Sequence, residues 1–276
     1  MHTKSELLSL LRARGLRLKK SLGQHYLIDP AMGRRLVDLC ALTSQDLVVE
    51  IGAGLGAITD VLAERAARVV AIERDRTIAE LLVARLASYP NVEILCRDAL
   101  EVSWAPWKGC TVVGLIPYLI TSPLLVRLCE EVSQVHAVWL GVQQEVADRL
   151  TARAGTKAYG RLSILVQYRW QVAQRAKIPR RVFFPQPAVD SAWVELAARR
   201  APAVRVDDET LFFELVRTAF SQRRKTLVNC LLGWRDLSRE QIQACLRTVE
   251  LPASVRGEAV SLEGFAALAN HLQAVR

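Results

Sequence analysis

A chain of 276 residues, 51% hydrophobic and 24% charged, can bury one sizeable core and a smaller second one, which excludes a disordered chain. Net charge +9 and a pI of about 9.6 favour a polyanionic partner, because each cation placed near a phosphate releases condensed counterions. No apolar stretch approaches the roughly 18 to 20 residues that cross a bilayer, so no membrane partner is expected.

The opening segment, MHTKSELLSLLRARGLRLKK, has no apolar core followed by a cleavage site. Its basic character resembles an organelle transit peptide, but Glu6 and the immediate run into a structured motif count against one, and the expected location is cytoplasmic. Cysteines at 40, 96, 110, 129, 230 and 245 form no C-x-x-C pair and never cluster with the histidines at 2, 25, 136 and 271, so no metal is expected. Cys40 beside Leu39 and Cys96 beside Leu95 read as small core residues of a reducing compartment.

Along the first two-thirds, short Val/Ile/Leu runs predict strands at 47–52, 68–73, 92–96, 111–116 and 135–142. Between the first three, AITDVLAERAA and RTIAELLVARLASY carry apolar residues at helical spacing. Strands buried on both faces lose the alternation of half-exposed ones, so this rhythm predicts a parallel sheet covered by helices, a Rossmann-like α/β fold. Residues 161–173 and 190–199 read as two longer strands, an antiparallel edge. Charges and Pro202 break the pattern at 200–208. Beyond it, ETLFFELVRTAF, SQRRKTLVNCLLGW, SREQIQACLRTV and SLEGFAALANHLQAV are helical throughout. The expected division is an α/β domain over 1–200 and a small helical domain over 201–276.

The first strand runs into Glu50-Ile51-Gly52-Ala53-Gly54-Leu55-Gly56 and then a helix. Glycines at such a turn let the backbone approach a ligand. Glu73 ends the second strand, where a carboxylate accepts hydrogen bonds from ribose hydroxyls, and Asp98 follows the third, where an acceptor reads an adenine amino group. Each alone could be a surface carboxylate at a strand end. Together, at the carboxyl ends of consecutive strands, they point to an adenosine-bearing ligand. The acidic Glu50 and the lack of a hydride-transfer partner favour S-adenosylmethionine (SAM) over a nicotinamide dinucleotide.

Further motifs are spread over the chain: Lys19-Lys20-Ser21-Leu22-Gly23-Gln24-His25-Tyr26-Leu27, Gln144-Glu145-Val146-Ala147-Asp148-Arg149-Leu150, and Lys157-Ala158-Tyr159-Gly160-Arg161-Leu162-Ser163. Phe183-Phe184-Pro185-Gln186-Pro187-Ala188-Val189-Asp190-Ser191, Phe220-Ser221-Gln222-Arg223-Arg224-Lys225-Thr226-Leu227 and Arg256-Gly257-Glu258 follow. In this order they resemble, nearly end to end, the signatures of the KsgA family of ribosomal RNA adenine dimethyltransferases. The resemblance implies a SAM-dependent methyltransferase domain carrying a helical RNA-binding domain, probing small-subunit rRNA near its 3′ end and dimethylating two adjacent adenines there during late subunit assembly. It implies that Gln24, His25 and Leu27 close over the methionine end of SAM. Glu50, Gly52, Gly54 and Gly56 would form its turn, Glu73 would hold the ribose, and Asp98 and Ala99 the adenine. Arg223, Arg224 and Lys225, read as one helix start, would bind RNA. The expected partners are small-subunit rRNA and the assembling subunit, with the protein acting as a monomer.

One position departs from the family. Its catalytic tetrapeptide is N-L-P-Y, whereas this chain reads Leu115-Ile116-Pro117-Tyr118, with Leu119 in place of a following Asn. In the family, the Asn oxygen and the next carbonyl accept the N–H groups of the flipped adenine, while Tyr stacks on it. Ile116 keeps the carbonyl, Pro117 and Tyr118 are retained, and Phe183 or Phe184 would complete the stack. Leu115 has no acceptor. The expectation is weakened or absent transfer, with Thr121 or Ser122 as a substitute acceptor, or else Leu115 and Leu119 as core residues beneath the site. The alternative function is a non-catalytic RNA-binding assembly factor.

Overall fold

The computed structural model describes residues 3–13, 24–222 and 224–274. They group into two compact units, one drawn from Met1–Ala147 and Gln171–Ala198, the other from Asp148–Trp170 and Arg199–Arg276.

The first unit begins with helix α1 (Lys4–Ala13), strand β1 (Tyr26–Leu27) and helix α2 (Pro30–Leu39). An alternating series follows: β2 (Leu47–Ile51), α3 (Thr59–Arg65), β3 (Arg68–Glu73), α4 (Arg76–Arg85), β4 (Val92–Cys96), β5 (Cys110–Gly114), α5 (Thr121–Glu130) and β6 (Val135–Gln143). Helix α6 (Gln144–Leu150) and helix α7 (Arg161–Arg169) come next, before strands β7 (Trp170–Ile178), β8 (Phe183–Phe184) and β9 (Ser191–Ala198). The large sheet has the order β4-β3-β2-β5-β6-β9-β7. Strand β2 pairs in parallel with both β3 and β5, and β6 pairs in parallel with β5 but antiparallel with β9. A separate ribbon pairs Tyr26 with Phe184 and Leu27 with Phe183.

The sequence specifies these elements through local chemistry. Asp29 accepts the Met32 N–H at 3.0 Å and Pro30 opens α2, while Asp75 accepts the N–H of Thr77 at 3.1 Å to start α4. The Val and Ile runs of β2 and β3 are buried on both faces. On one face Val48, Val69, Val113, Trp139 and Trp193 pack with Leu36 and Leu62 into a single core.

The second unit is helical, with α8 (Glu209–Ala219), α9 (Leu227–Leu231), α10 (Arg239–Thr248) and α11 (Leu262–Ala274) beside α7. Asp208 caps α8 by accepting the Leu211 N–H at 2.9 Å, and Ser238 and Gln241 exchange side-chain and backbone hydrogen bonds at the start of α10. Its core gathers Tyr168, Phe212, Leu215, Leu227, Leu246 and Phe265. The Phe220 and Phe265 rings lie 5.9 Å apart.

Four expectations change. Residues 161–173 are not one strand: α7 runs to Arg169, started by Gly160, whose N–H is donated to Ser163 Oγ at 3.1 Å, and only Trp170 onward is strand. Residues 148–170 therefore group with the helical unit, and the division expected at 200 falls differently. The stretch SQRRKTLVNCLLGW is helical only over Leu227–Leu231, because Thr226 caps there by accepting the Asn229 N–H. Arg224 and Lys225 thus lie in the preceding turn, not on a helix start, and Arg223 lies outside the described residues. Cys96, expected in the core, is exposed at the end of the edge strand β4, while Cys40 is buried.

Phe265 is fully buried in the helical unit. Phe265→Ala should destabilise that unit by about 3 to 5 kcal/mol through lost burial and the cavity left behind. Urea unfolding would register the loss as a lowered midpoint, and an unchanged midpoint would contradict this packing.

Candidate active site

Strand β2 has β3 on one side and β5 on the other, so the chain leaves β2 and β5 toward opposite sides of the sheet. This reversal opens a crevice at the strands' carboxyl ends. A cavity occupies it. Its wall comes from the turns after β2 (Gly52 to Leu55), β3 (Glu73 to Asp75), β4 (Arg97 to Ala99) and β5 (Leu115 to Ile120). Gln24 to Leu27, Glu50, Gly141, Phe183 and Ser191 add to it.

The turn after β2 is shaped by its partners. Gly52 sits at φ +70°, and a Cβ there would stand 3.4 Å from Pro117 Cδ, so the absent side chain lets the tetrapeptide lie against the turn. Gly54 donates its N–H to Glu73 Oε2 at 2.9 Å, and Asp75 donates to Oε1 at 2.8 Å. These bonds aim the carboxylate while leaving lone pairs on both oxygens. Burial raises the pKa of Glu73, opposed by these backbone donors. Asp98 is held likewise: Leu100 donates to Oδ1 at 2.9 Å and Arg74 pairs with Oδ2 at 3.2 Å. His25 donates from Nδ1 to the Pro185 carbonyl at 2.6 Å, and its ring centroid lies 5.8 Å from that of Tyr118.

Of the residues singled out in the sequence, Gln24, His25, Leu27, Glu50, Gly52, Gly54, Glu73, Asp98, Ala99, Leu115, Ile116, Pro117, Tyr118 and Phe183 share this one wall. Gly56 and Phe184 do not. Gly56 faces Arg85, which donates to the carbonyls of Leu55 and Gly56 at 3.0 and 2.8 Å and pairs with Asp60, so it shapes the turn from behind. Phe184 packs with the Leu7 and Leu55 cluster, under the Lys4 ammonium at 5.2 Å. Lys19 to Gly23 lie outside the described residues.

Leu119, expected as core, is 70% exposed on the 3-10 turn Tyr118–Ile120 at the cavity wall. Leu115 does pack against the core. Neither Thr121 nor Ser122 reaches the wall: Thr121 is 2% exposed with its hydroxyl buried, and Ser122 faces outward. Sequence reasoning assigned no role to Ser191 or Gly141. Their partners lie 73 and 26 residues away in the chain, and no local pattern signals such contacts.

Glu50 offers a direct test of fit for the expected ligand. It is 2% exposed, lines the cavity, and its Oε2 has no hydrogen-bond partner. Burial pushes its pKa from 4.5 up to about 8. A buried carboxyl with one oxygen unpaired suits the cationic ammonium and sulfonium of SAM, and Glu73 and Asp98 offer acceptors for ribose and adenine. The residues fit the group.

The folded protein keeps the Glu50 proton that the unfolded chain releases near pH 4.5. The group's contribution to stability is therefore fully present below pH 4.5 and lost as pH rises through about 8. Urea midpoints of the unliganded protein should carry this downward component between pH 5 and pH 8, and Glu50→Gln should remove it. Identical pH dependence in the two proteins would contradict the assignment.

Residues 15–273 match the family model described as ribosomal RNA adenine dimethylase. Among curated relatives, the ribosomal RNA small subunit methyltransferase A of Geobacillus sp. (strain WCH70) is 41% identical over 96% of this chain and 95% of its own length. That of Bacillus mycoides (strain KBAB4) is 43% identical over 94% and 92%. Among solved structures, the 23S rRNA methyltransferase ErmE aligns with TM-score 0.70 and 27% identity, covering 90% of this chain and 99% of its own. A dimethyladenosine transferase from Plasmodium falciparum shares the fold at TM-score 0.75 and 24% identity, over 87% and 94%. A model match over nearly the whole chain, backed by relatives above 40% identity, shows that this chain belongs to the ribosomal RNA adenine dimethylase family.

Proposed function

We propose that the chain is a SAM-dependent rRNA adenine N6-dimethyltransferase whose targets are adjacent adenines near the 3′ end of small-subunit rRNA. The observation that carries this reading is the cavity at the sheet's switch point, where the anchored carboxylates of Glu73 and Asp98 share a wall with Tyr118 and Phe183. One end of that wall is built for an adenosine and the other for a second, stacked base.

Bound SAM would supply an electrophilic methyl group for adenine N6, with the sulfur retaining the C–S bonding pair and the surplus N6 proton passing to solvent. Glu73 accepts the ribose hydroxyls, and Asp98 with Ala99 holds the cofactor's adenine. Gln24, His25 and Leu27 cover the methionine end, with Glu50 beneath it. Gly52 and Gly54 let the backbone come close, and Gly56 supports the turn through Arg85. At the target, Tyr118 and Phe183 stack on the base, the Ile116 carbonyl accepts one N–H, and Pro117 fixes the tetrapeptide against the turn, while Phe184 stays in the Leu7 and Leu55 cluster. Most of the rate then comes from positioning and from excluding water.

The surplus of cations supports an RNA partner, and Arg224 and Lys225 are exposed in the turn before α9. With Arg223 they form the proposed RNA contact of the helical unit. The assembling small subunit is the proposed particle. The proposed state is a monomer. Among the described residues no helix is long and apolar enough to cross a membrane; the proposed site of action, the cytoplasm, is where an rRNA substrate would be met.

Calorimetry should detect SAM binding, and Glu73→Ala should weaken it about ten- to a hundredfold, the effect of losing charge-assisted hydrogen bonds worth about 1.5 to 3 kcal/mol. Absence of SAM binding to the unaltered protein would refute the reading. Reversing Arg224 and Lys225 together to Glu should flatten the log-log salt dependence of RNA affinity by roughly 1.5, since each phosphate contact contributes about 0.7 to 0.9 to the slope. An unchanged slope would remove this turn from the RNA interface.

A further inference from the structure

We propose that Ser191 is the side-chain acceptor of the target-base pocket, performing the task for which Leu115 has no atom. The inference rests on the reading of this cavity as an adenine methyltransferase site.

Leu115 is committed to packing. A Cβ built on Gly141 would stand 2.6 Å from Leu115 Cδ2, so the Leu side chain lies over the bare backbone of β6 and depends on that glycine for its room. It joins the core that contains Val113, Trp139, Ile178 and Trp193. Strand β9 crosses beside it: Trp193 pairs with Gly141, and Ser191 pairs with Gln143. With side chains alternating along a strand, Ser191 falls on the same face as Trp193, one pleat nearer the carboxyl end of β6. There its hydroxyl lies 2.7 Å from Tyr118 Oη, and Leu115, Tyr118, Gly141 and Ser191 all border the cavity.

The Tyr118–Ser191 pair has the right chemistry for an amine donor. Two hydroxyls sharing one hydrogen bond hold one further proton and several lone pairs between them. When Ser191 donates to Tyr118, both lone pairs of Ser191 Oγ stay open to an N–H of the exocyclic amine. Ser191 is 1% exposed and borders the cavity, so little of it is open to competing water, and a hydrogen bond made there gains strength from its surroundings. The same bond fixes the Tyr118 ring. Burial raises the pKa of this phenol, keeping it a neutral stacking surface.

The test measures methyl transfer to undermethylated small subunits by the unaltered protein, Ser191→Ala, Tyr118→Phe, Leu115→Asn and the double variant Leu115→Asn/Ser191→Ala. Expected is a fall in kcat of about ten- to a thousandfold for Ser191→Ala, the range for losing one aimed polar group, with SAM affinity within about twofold of the unaltered protein. Leu115→Asn should restore transfer in the Ser191→Ala background, which a purely structural role for Ser191 would not allow. Tyr118→Phe, which leaves Oγ in place, should cost less than Ser191→Ala. Native kcat in Ser191→Ala, or a Ser191→Ala defect that Asn cannot repair, overturns the inference while leaving the methyltransferase reading intact. So does an inactive natural protein that Leu115→Asn activates. If neither the natural protein nor Leu115→Asn transfers methyl groups, the reading itself fails, and the inference with it. Should Ser191→Ala fail to fold, Ser191→Cys, nearly isosteric but a weak acceptor, gives the same decision: loss of kcat at an unchanged melting temperature supports the inference, and native kcat overturns it.

Discussion

The reversal of strand order around β2 is the constraint on which the rest of the molecule depends. Because β3 and β5 flank β2 in parallel, the chain must leave neighbouring strand ends in opposite directions, and the crevice between those exits cannot be closed by the sheet itself. Every functional group follows from that gap. The β2 turn fits only with glycine at positive φ, the strand-end carboxylates are bonded to neighbouring backbone N–H groups, and the tetrapeptide after β5 is pressed against the turn at Gly52. The strand ends thus hold the two ends of one cavity.

The anchoring of the carboxylates and the isolation of Glu50 serve different ends. Glu73 and Asp98 have their orientation settled by backbone donors and Arg74, so their remaining lone pairs are pre-aimed and little entropy is lost when a ligand engages them. Glu50 is left with one oxygen unpaired in the interior, a cost tolerated in unliganded protein by holding a proton. A cation placed beside it would favour the charged form.

The continuous apolar runs of β2 and β3 and the glycine turn were legible because burial on both faces and positive φ each demand particular residue types at particular places. Residues 161–173 were not, since RLSILVQYRWQVA satisfies helix and strand patterns alike and the choice falls to the Gly160–Ser163 hydrogen bond and to packing around Tyr168. Leu119 was misplaced because hydrophobicity predicts burial on average, whereas a short 3-10 turn at a cavity mouth leaves it facing outward. The Ser191–Tyr118 contact was out of reach for a deeper reason. It joins residues 73 apart through strand register, and register depends on the whole sheet. The departure at Leu115 is visible in the sequence, but the room that the bare backbone of Gly141 gives its side chain is not.

The central claim is that this cavity methylates adenine amines of small-subunit rRNA. Nucleoside mass spectrometry of that rRNA, prepared from cells with and without the protein, tests it most directly. The account predicts N6,N6-dimethyladenosine at adjacent positions near the 3′ end when the protein is present and unmodified adenosine there when it is absent. Identical modification at those positions in both preparations would contradict it.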